Sequence, residues 1–306
     1  MLTSSLAVVL GLGALGAVGA RSRSRYARRI EAECESRLPL GADGIVVGAA
    51  PIALDGPDGA PAVMLVHGAG DTPQTLRYLA EELHARGFTV RAPLLPGHGR
   101  ALRQFAAVDA ESWFEMVGAE FDRLAARHAW TGLVGLSMGG ALAVRLAASR
   151  PAIPALALVA PYLAMPPMVW CAAMTSRLWG AFVPYVRSAG ARPSIQDPDE
   201  RARSLAYGYF TPAALRALCS TVRGAAAALP HVHAPTVVLQ SHDDNRIAPA
   251  AARRAFGRLG APRKELCWVA GAHVLTVDTA RTQVFDTIAQ WLEAHGARPL
   301  TRRQVG

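Results

Sequence analysis

Cysteine is scarce in this chain of 306 residues, and its four cysteines lie far apart, at Cys34, Cys171, Cys219 and Cys267. None of them forms a C-x-x-C pair, so a metal site made of cysteines is not expected. Free buried thiols are the expected state, because a disulfide would require export to an oxidising compartment.

Charged residues are also few, at 18% of the chain, where an average globular protein has about 25%. Hydrophobic residues make up 51%, which is enough for one large α/β core with an insertion.

The formal charge of +9 comes mostly from arginine and is concentrated near the two ends of the chain. The arginines of these two runs are Arg21, Arg23, Arg25, Arg28 and Arg29, then Arg298, Arg302 and Arg303. No nucleic-acid-binding motif accompanies either run, so nucleic acid is not an expected partner. A membrane surface or a solvated tail fits this charge distribution better.

Residues 1–20 carry no charged side chain, and as a helix they would just cross a bilayer core of about 30 Å. Because the arginines follow this apolar stretch, the positive-inside preference predicts a membrane anchor with the catalytic domain in the cytoplasm. The alternative is a signal segment that is cleaved after Ala20, which would export the protein. Residues 21–43 are predicted to form a basic linker, and residues 298–306 a basic tail.

Short apolar runs alternate with amphipathic helical segments along most of the chain, which is typical of a mostly parallel sheet with helices on both faces. The predicted strands lie at 44–47, 50–54, 61–66, 87–90, 130–134, 155–160, 236–240 and 265–269. Residues 161–230 interrupt this alternation with helical pieces that are rich in methionine, aromatic residues and proline. We expect residues 44–160 and 231–297 to form the core, and residues 161–230 to form a helical cap over a pocket.

The segment Gly135-Leu136-Ser137-Met138-Gly139 lies between a predicted strand and a predicted helix. A G-x-S-x-G pattern at such a turn is typical of a nucleophile elbow, in which a strained turn exposes the serine hydroxyl. The flanking glycines remove the Cβ atoms that would collide with neighbouring backbone. The backbone N–H of Met138, at the start of the helix, is a candidate oxyanion donor.

A nucleophilic serine needs a histidine as base and a carboxylate that orients this histidine. His273 follows the last predicted strand and is the predicted base. The acid is expected in the loop after the strand that ends at Gln240, where Asp243 and Asp244 are both candidates and Asp244 is favoured by its position. Ala69, in the turn that follows His67, is the predicted second oxyanion donor. We expect His67 to brace this turn and Asp278 to cap the last helix.

The motifs that appear in order along the chain are His67-Gly68-Ala69-Gly70, Pro96-Gly97-His98-Gly99, the serine pentapeptide, Asp244 in its loop and Gly271-Ala272-His273-Val274. With these motifs the chain resembles the α/β-hydrolase superfamily, and within it the carboxylesterase and monoacylglycerol lipase branch, whose members are also described as serine aminopeptidase-like. The resemblance implies an eight-stranded, mostly parallel sheet, a cap after the sixth strand and no cofactor. It also implies hydrolysis of a small-molecule ester or acylglycerol through an acyl-enzyme. A metal site built from His231, His233, His242 and Asp243 is not expected, because polar loop positions explain these residues without a metal.

Two other functions stay open at the level of the sequence. A peptidase or amidase could use the same three catalytic residues, and it would need acidic cap residues to hold an α-amino group. Asp197, Asp199 and Glu200 are the candidates for this role. A binding protein without catalytic activity is the remaining alternative.

Overall fold

The computed structural model describes the backbone of residues 2–188 and 193–298, and the side chains of these ranges from residue 20 onward. The helices are α1 (Leu2–Arg37), α2 (Arg77–Ala85), α3 (Ala110–Ala125), α4 (Met138–Ser149), α5 (Pro167–Trp179), α6 (Pro198–Ala202), α7 (Pro212–Ala228), α8 (Pro249–Arg258) and α9 (Arg281–Ala294). The strands are β1 (Ile52–Leu54), β2 (Ala62–Val66), β3 (Thr89–Ala92), β4 (Thr131–Leu136), β5 (Leu156–Val159), β6 (Val186–Arg187), β7 (Tyr209–Phe210), β8 (Thr236–Gln240) and β9 (Lys264–Trp268).

The central sheet has the strand order β1-β3-β2-β4-β5-β8-β9, and in it only the edge strand β1 runs antiparallel to its neighbour. Strands β2, β4, β5 and β8 are buried along their whole length, which explains why they appear in the sequence as continuous apolar runs. Alternate residues face opposite sides of the sheet. Met64 packs with the core that contains α3, α4 and α7, whereas Val63 and Leu65 pack with the core that contains α2 and α9. The predicted α/β-hydrolase fold is thereby confirmed.

The predicted number of eight strands was wrong for the described part of the chain, in which the central sheet has seven. The first predicted strand, at residues 44–47, makes only an isolated bridge between Leu40 and Val46. Gly44 and Gly48 have φ values of 71° and 88°, so the chain turns at both sides of this segment and cannot continue as a strand. The cap therefore follows the fifth strand and not the sixth.

Between β5 and β8 the chain forms α5, α6 and α7, together with a two-residue antiparallel pair, β6 and β7. This pair was not expected, because its two segments are too short to show an alternating pattern. Helix α7 packs on α5 and on α4, so it connects the inserted segment to the layer of helices below it. The insertion thus lies over the strand ends that carry the serine turn. Residues 189–192, inside this insertion, lie outside the described residues, as does most of the predicted basic tail.

Residues 21–37 form the second half of α1, and this half packs against the inserted segment. Tyr185 Oη donates a hydrogen bond to Glu31 at 2.6 Å, and Tyr209 Oη donates one to Glu33 at 3.0 Å. The Arg37 guanidinium donates to the carbonyl oxygen of Tyr207 at 2.7 Å. This part of the chain is therefore an ordered helix whose partners lie more than 150 residues away in sequence.

No helix in the described ranges has an apolar stretch that is long enough to cross a bilayer. The predicted membrane-anchored localisation was therefore wrong, and membrane association through this segment is not supported. The helix that contains residues 2–20 continues without a break to Arg37. Its arginine-rich second half adds no apolar length, and the buried Ile30 and Cys34 of this half pack into the protein core.

Candidate active site

Ser137 lies between the end of β4 and the start of α4, with φ of 55° and ψ of −117°. A non-glycine residue at positive φ is strained, and this strain is typical of functional turns. Added Cβ atoms show why glycine flanks the turn. A Cβ at Gly139 would lie 2.1 Å from the carbonyl oxygen of Val66, and one at Gly135 would lie 2.4 Å from that of Gly139. Strand, turn and helix can approach this closely only without these side chains.

The structure brings Ser137, His273 and Asp244 together in one hydrogen-bonded line. His273 Nε2 lies 2.8 Å from Ser137 Oγ, and His273 Nδ1 lies 2.9 and 3.0 Å from the two carboxylate oxygens of Asp244. Because an ionised carboxylate can only accept, the proton of the neutral imidazole belongs on Nδ1. Nε2 is then free to accept the proton of the Ser137 hydroxyl. Asp243, the alternative acid, is exposed and takes no part in this line.

Asp244 is held as an anion although its side chain is buried. Burial raises its pKa, but the hydrogen bond from His273 and those from two backbone N–H groups lower it, and the net effect is a pKa below the usual value. The backbone N–H groups are those of Arg246 and Ile247, which donate to Oδ1 at 2.7 and 2.9 Å. Gln240 Nε2 donates to Oδ2 at 2.7 Å. Asp244 is thus ready to orient His273 at neutral pH.

The predicted oxyanion donors lie on both sides of Ser137. Met138 is the first residue of α4, where backbone N–H groups lack partners within the helix. Ala69 lies in the turn after β2 and lines the same cavity as Ser137.

His67 braces this turn: its Nδ1 is 2.9 Å from the carbonyl oxygen of Gly68, and its Nε2 accepts the N–H of Leu95 at 3.1 Å. Burial lowers the pKa of His67 to about 4, so this histidine stays neutral.

A cavity of about 350 Å³ opens over the serine turn. One part of its lining is apolar and comes from α5 and α7, through Met168, Val169, Ala172, Leu215 and Leu218. The polar part comes mainly from the loops, through Asp71, Tyr162, Ser188, Ser194 and Arg246. Ser137 and His273 belong to the same lining, so one bound molecule can contact the serine together with both kinds of surface.

Asp278 holds the loop of His273, and the predicted role of this aspartate as a helix cap was wrong. The last helix begins after Ala280, whereas the buried Asp278 carboxylate accepts the N–H of Ala272 at 2.7 Å. It also accepts the N–H groups of Gln196 and Asp197, both at 3.0 Å, and so connects this loop to the inserted segment. Sequence reasoning missed this role because the partners Gln196 and Asp197 lie some 80 residues away in the chain.

Comparison with known proteins agrees with this fold. The chain is an α/β-hydrolase. A model of the family described as serine aminopeptidase, S33, matches residues 58–279, and the chain belongs to this family. It is 28% identical over 253 residues to the thermostable monoacylglycerol lipase of Bacillus sp. (strain H-257), a match that covers 82% of this chain and 97% of that protein.

Two further relatives belong to the same branch. The carboxylesterase of Bacillus subtilis (strain 168) is 26% identical over 234 residues, which is 76% of this chain and 92% of that protein. A solved structure from work on LipS and LipT, two metagenome-derived lipolytic enzymes, superimposes with a TM-score of 0.74 at 26% identity. It covers 82% of this chain and 100% of its own.

The buried carboxyl of Asp71, next to the oxyanion turn, makes the stability depend on pH. Burial raises its pKa from 3.8 to about 6, although the N–H of Thr72 donates to it at 2.9 Å. The folded protein therefore favours the protonated form, and this contribution to stability is present below pH 3.8 and is lost as the pH rises from 3.8 to about 6. We expect the neutral variant Asp71→Asn to be more stable than the wild type at pH 8, by at most about 3 kcal/mol in the free energy of unfolding.

Urea denaturation at pH 8, pH 5 and pH 4 measures this difference, which we expect to shrink as the pH falls. The contribution of His67 to stability changes with pH in the opposite direction, because its pKa is lowered. This contribution is the same in the wild type and in Asp71→Asn, so it cancels in the comparison. Asp58→Asn, at an exposed position, is the matched control and should show no such trend. A destabilised Asp71→Asn protein at all three pH values would contradict the assignment.

Proposed function

We propose that this protein is a carboxylic ester hydrolase that works through an acyl-enzyme on Ser137. His273 Nε2 takes the proton of Ser137 Oγ as the oxygen attacks the ester carbonyl, and Asp244 stabilises the imidazolium that forms. The N–H groups of Ala69 and Met138 stabilise the oxyanion, and losing one such donor costs about 3 kcal/mol in a serine hydrolase. His273 then gives the proton to the leaving alcohol. Water repeats both steps on the acyl-enzyme.

The observation that carries this proposal is the continuous line from Asp244 through His273 to Ser137, with both contacts of His273 within 3.0 Å. A serine hydroxyl that only packs in a turn needs neither a base nor a buried carboxylate behind it. The line ends at the cavity and not in the protein core, so the hydroxyl can meet a substrate. The relatives named above, a monoacylglycerol lipase and a carboxylesterase, support an ester as the substrate.

Within the esters, we propose a medium-chain acyl group, as in an acylglycerol. The apolar side chains of α5 and α7 line one side of the cavity, and burying an acyl chain there yields about 0.8 kcal/mol for each CH₂ group. A volume of about 350 Å³ lies at the low end of the range for small-molecule sites, which suits a chain of moderate length better than a large polymer.

The contacts of the acidic cap residues favour an ester over an aminopeptidase substrate. Glu200 is buried in contact with Arg77, and it accepts a hydrogen bond from Tyr78 Oη at 2.8 Å. Asp197 caps α6 through the N–H groups of Asp199 and Glu200. Asp199 is exposed. Within the described residues, Asp71 supplies the one carboxylate of the cavity lining. The three acidic cap residues do not line the cavity, so they do not offer a site for an α-amino group.

A paired assay tests this function. We expect a fluorophosphonate probe to label the wild-type protein at Ser137, with peptide mapping by mass spectrometry as the readout. We also expect rapid hydrolysis of p-nitrophenyl octanoate and 1-octanoylglycerol and at least 100-fold slower turnover of leucine p-nitroanilide. Faster turnover of the anilide than of the esters would support the peptidase alternative. Absence of both labelling and turnover would support a binding protein.

A further inference from the structure

A cationic side chain, Arg246, lines the cavity two residues after the acid of the triad. It is partly buried, and its Nε donates to Ser194 Oγ at 3.1 Å while its Nη1 donates to the carbonyl oxygen of Ser188. Both acceptors are uncharged. In the described ranges, no aspartate or glutamate oxygen lies within the 4.0 Å ion-pair distance of this guanidinium. Arg246 therefore brings to the cavity a positive charge that has no direct ion-pair partner in the described ranges.

The acidic groups near Arg246 are occupied by other partners. Asp244 accepts hydrogen bonds from His273, from Gln240 and from the backbone, which leaves its carboxylate committed to the triad. Asp71 lines the same cavity, but its carboxyl accepts the N–H of Thr72, and burial raises its pKa to about 6. Arg187, a second cation of the lining, is exposed and has Glu33 as its partner at 3.5 Å. Arg246 is thus the cation of this lining that has no ion-pair partner within 4.0 Å among the described residues, and the negative charge of Asp244 acts on it only at longer range.

A half-buried charge without a counter-ion is unfavourable, because burial removes part of its hydration. This cost is visible at Arg246, whose pKa burial lowers. A guanidinium has five N–H groups, and the protein atoms of the described ranges accept from two of those of Arg246. The remaining N–H groups suit a carboxylate or a phosphate, whose oxygens match the planar fork.

Ser194 connects Arg246 to His273, the residue that protonates the leaving alcohol in the proposed reaction. Ser194, which holds the guanidinium, also accepts the backbone N–H groups of His273 and Val274 through its carbonyl oxygen, at 3.0 and 2.9 Å. Arg246 and His273 therefore belong to one packed unit. In the proposed reaction His273 gives its proton to the leaving oxygen, so the alcohol part of the ester must lie beside this unit. The acyl chain is then left to the apolar surface of α5 and α7.

We propose that Arg246 forms a subsite for an anionic group, a carboxylate or a phosphate, on the alcohol part of the ester. The preferred substrate is then a medium-chain acyl ester of a hydroxy acid or of a polyol phosphate, and not a fully neutral ester. This inference rests on the proposed hydrolysis at Ser137. It adds that the alcohol part of the ester carries a negative charge.

Two matched substrate pairs test the subsite, each with the same octanoyl group. The first pair is 1-octanoylglycerol 3-phosphate and 1-octanoylglycerol, and the second is 4-(octanoyloxy)butanoate and butyl octanoate. Release of octanoate below the micellar concentration gives kcat/KM for each ester. We expect the wild type to favour the anionic member of at least one pair. In Arg246→Met, the anionic-to-neutral ratio should fall at least about tenfold, mainly through KM, as expected for loss of a charged hydrogen bond.

Two variants separate recognition from structure and from overall charge. Arg246→Lys keeps the charge and should keep most of the ratio, whereas Arg103→Met removes an exposed cation outside the cavity lining and should change the ratio less than twofold. If both members of each pair lose activity equally in Arg246→Met, the arginine only holds Ser188 and Ser194, and the subsite is refuted. A response to one pair alone supports the subsite and identifies the anion as phosphate or carboxylate.

A binding measurement separates failure of the subsite from failure of the proposed hydrolysis. Calorimetric titration of Ser137→Ala with 1-octanoylglycerol 3-phosphate and with 1-octanoylglycerol does not depend on turnover. Tighter binding of the phosphate ester, lost in the double variant Ser137→Ala/Arg246→Met, supports the subsite even if the wild type hydrolyses no ester. Equal affinities for both ligands refute the subsite, whatever the activity.

Discussion

Replacing Ser137 by alanine should lower kcat for p-nitrophenyl octanoate by about 10⁵-fold, because the covalent route is lost and only binding and oxyanion stabilisation remain. Alanine keeps the Cβ atom and removes only Oγ, the atom that lies 2.8 Å from His273 Nε2. The backbone strain at φ of 55° is the same for alanine and serine, so the melting temperature should change little. Labelling by the fluorophosphonate probe should disappear together with turnover.

The matched control for this loss is Ser112→Ala, which removes a hydroxyl near the start of α3, where Ser112 Oγ donates only to the carbonyl oxygen of Asp109. This control should remain within about twofold of the wild-type activity. Initial rates at saturating ester, with active-site titration of each preparation, measure both variants. If Ser137→Ala keeps more than a hundredth of the wild-type kcat while its structure is unchanged, a nucleophile other than Ser137 acts in this protein.

The second large effect is expected for Asp244→Asn, with a loss of about 10⁴-fold in kcat. Oδ1 of Asp244 accepts two backbone N–H groups, and Oδ2 accepts the side chain of Gln240. An asparagine that retains the backbone bonds therefore turns its NH₂ group toward Gln240 and His273. When this NH₂ group takes the place of Oδ2, the nearer partner of His273 Nδ1 at 2.9 Å, it favours Nδ1 as an acceptor and the imidazole proton on Nε2. His273 then cannot accept the proton of Ser137.

Asp243→Asn is the matched control for the acid, since it makes the same chemical change one residue away at an exposed position. We expect this variant to retain wild-type kcat within about twofold. A large loss in Asp243→Asn combined with a small one in Asp244→Asn would reverse the assignment of the acid.

The sequence alone predicted the fold class and the order of the catalytic loops because both follow from local patterns. Continuous apolar runs predicted buried parallel strands, and four of them are buried along their whole length. Thr72 caps the short helix that begins at Pro73, and its side chain accepts the N–H of Gln74. By contrast, the segment at 44–47 has the composition of a strand, but Gly44 and Gly48 turn the chain on both sides of it.

The capping of α3 shows the limit of such local rules. Ser112 and Glu115 fit the pattern of a capping box, but the helix begins three residues earlier. Asp109 is the cap, and its side chain accepts the N–H groups of Glu111 and Ser112. Several polar residues near a helix start compete for this role, and spacing alone does not decide which of them has the extended backbone that a cap needs.

The sequence by itself determined the serine turn. Glycine is required at positions 135 and 139, because a Cβ atom at either position would collide with the backbone of the turn or of the neighbouring strand. Only the tertiary structure decided the partners of residues that are distant in the chain. Asp278 meets Gln196, Glu200 meets Arg77, and α1 meets the inserted segment across separations of 82 to 170 residues. The charge of Arg246 in the cavity belongs to this second group. The physical reason is that a turn depends on the residues beside it, whereas a cavity depends on how the sheet brings separate loops to one edge.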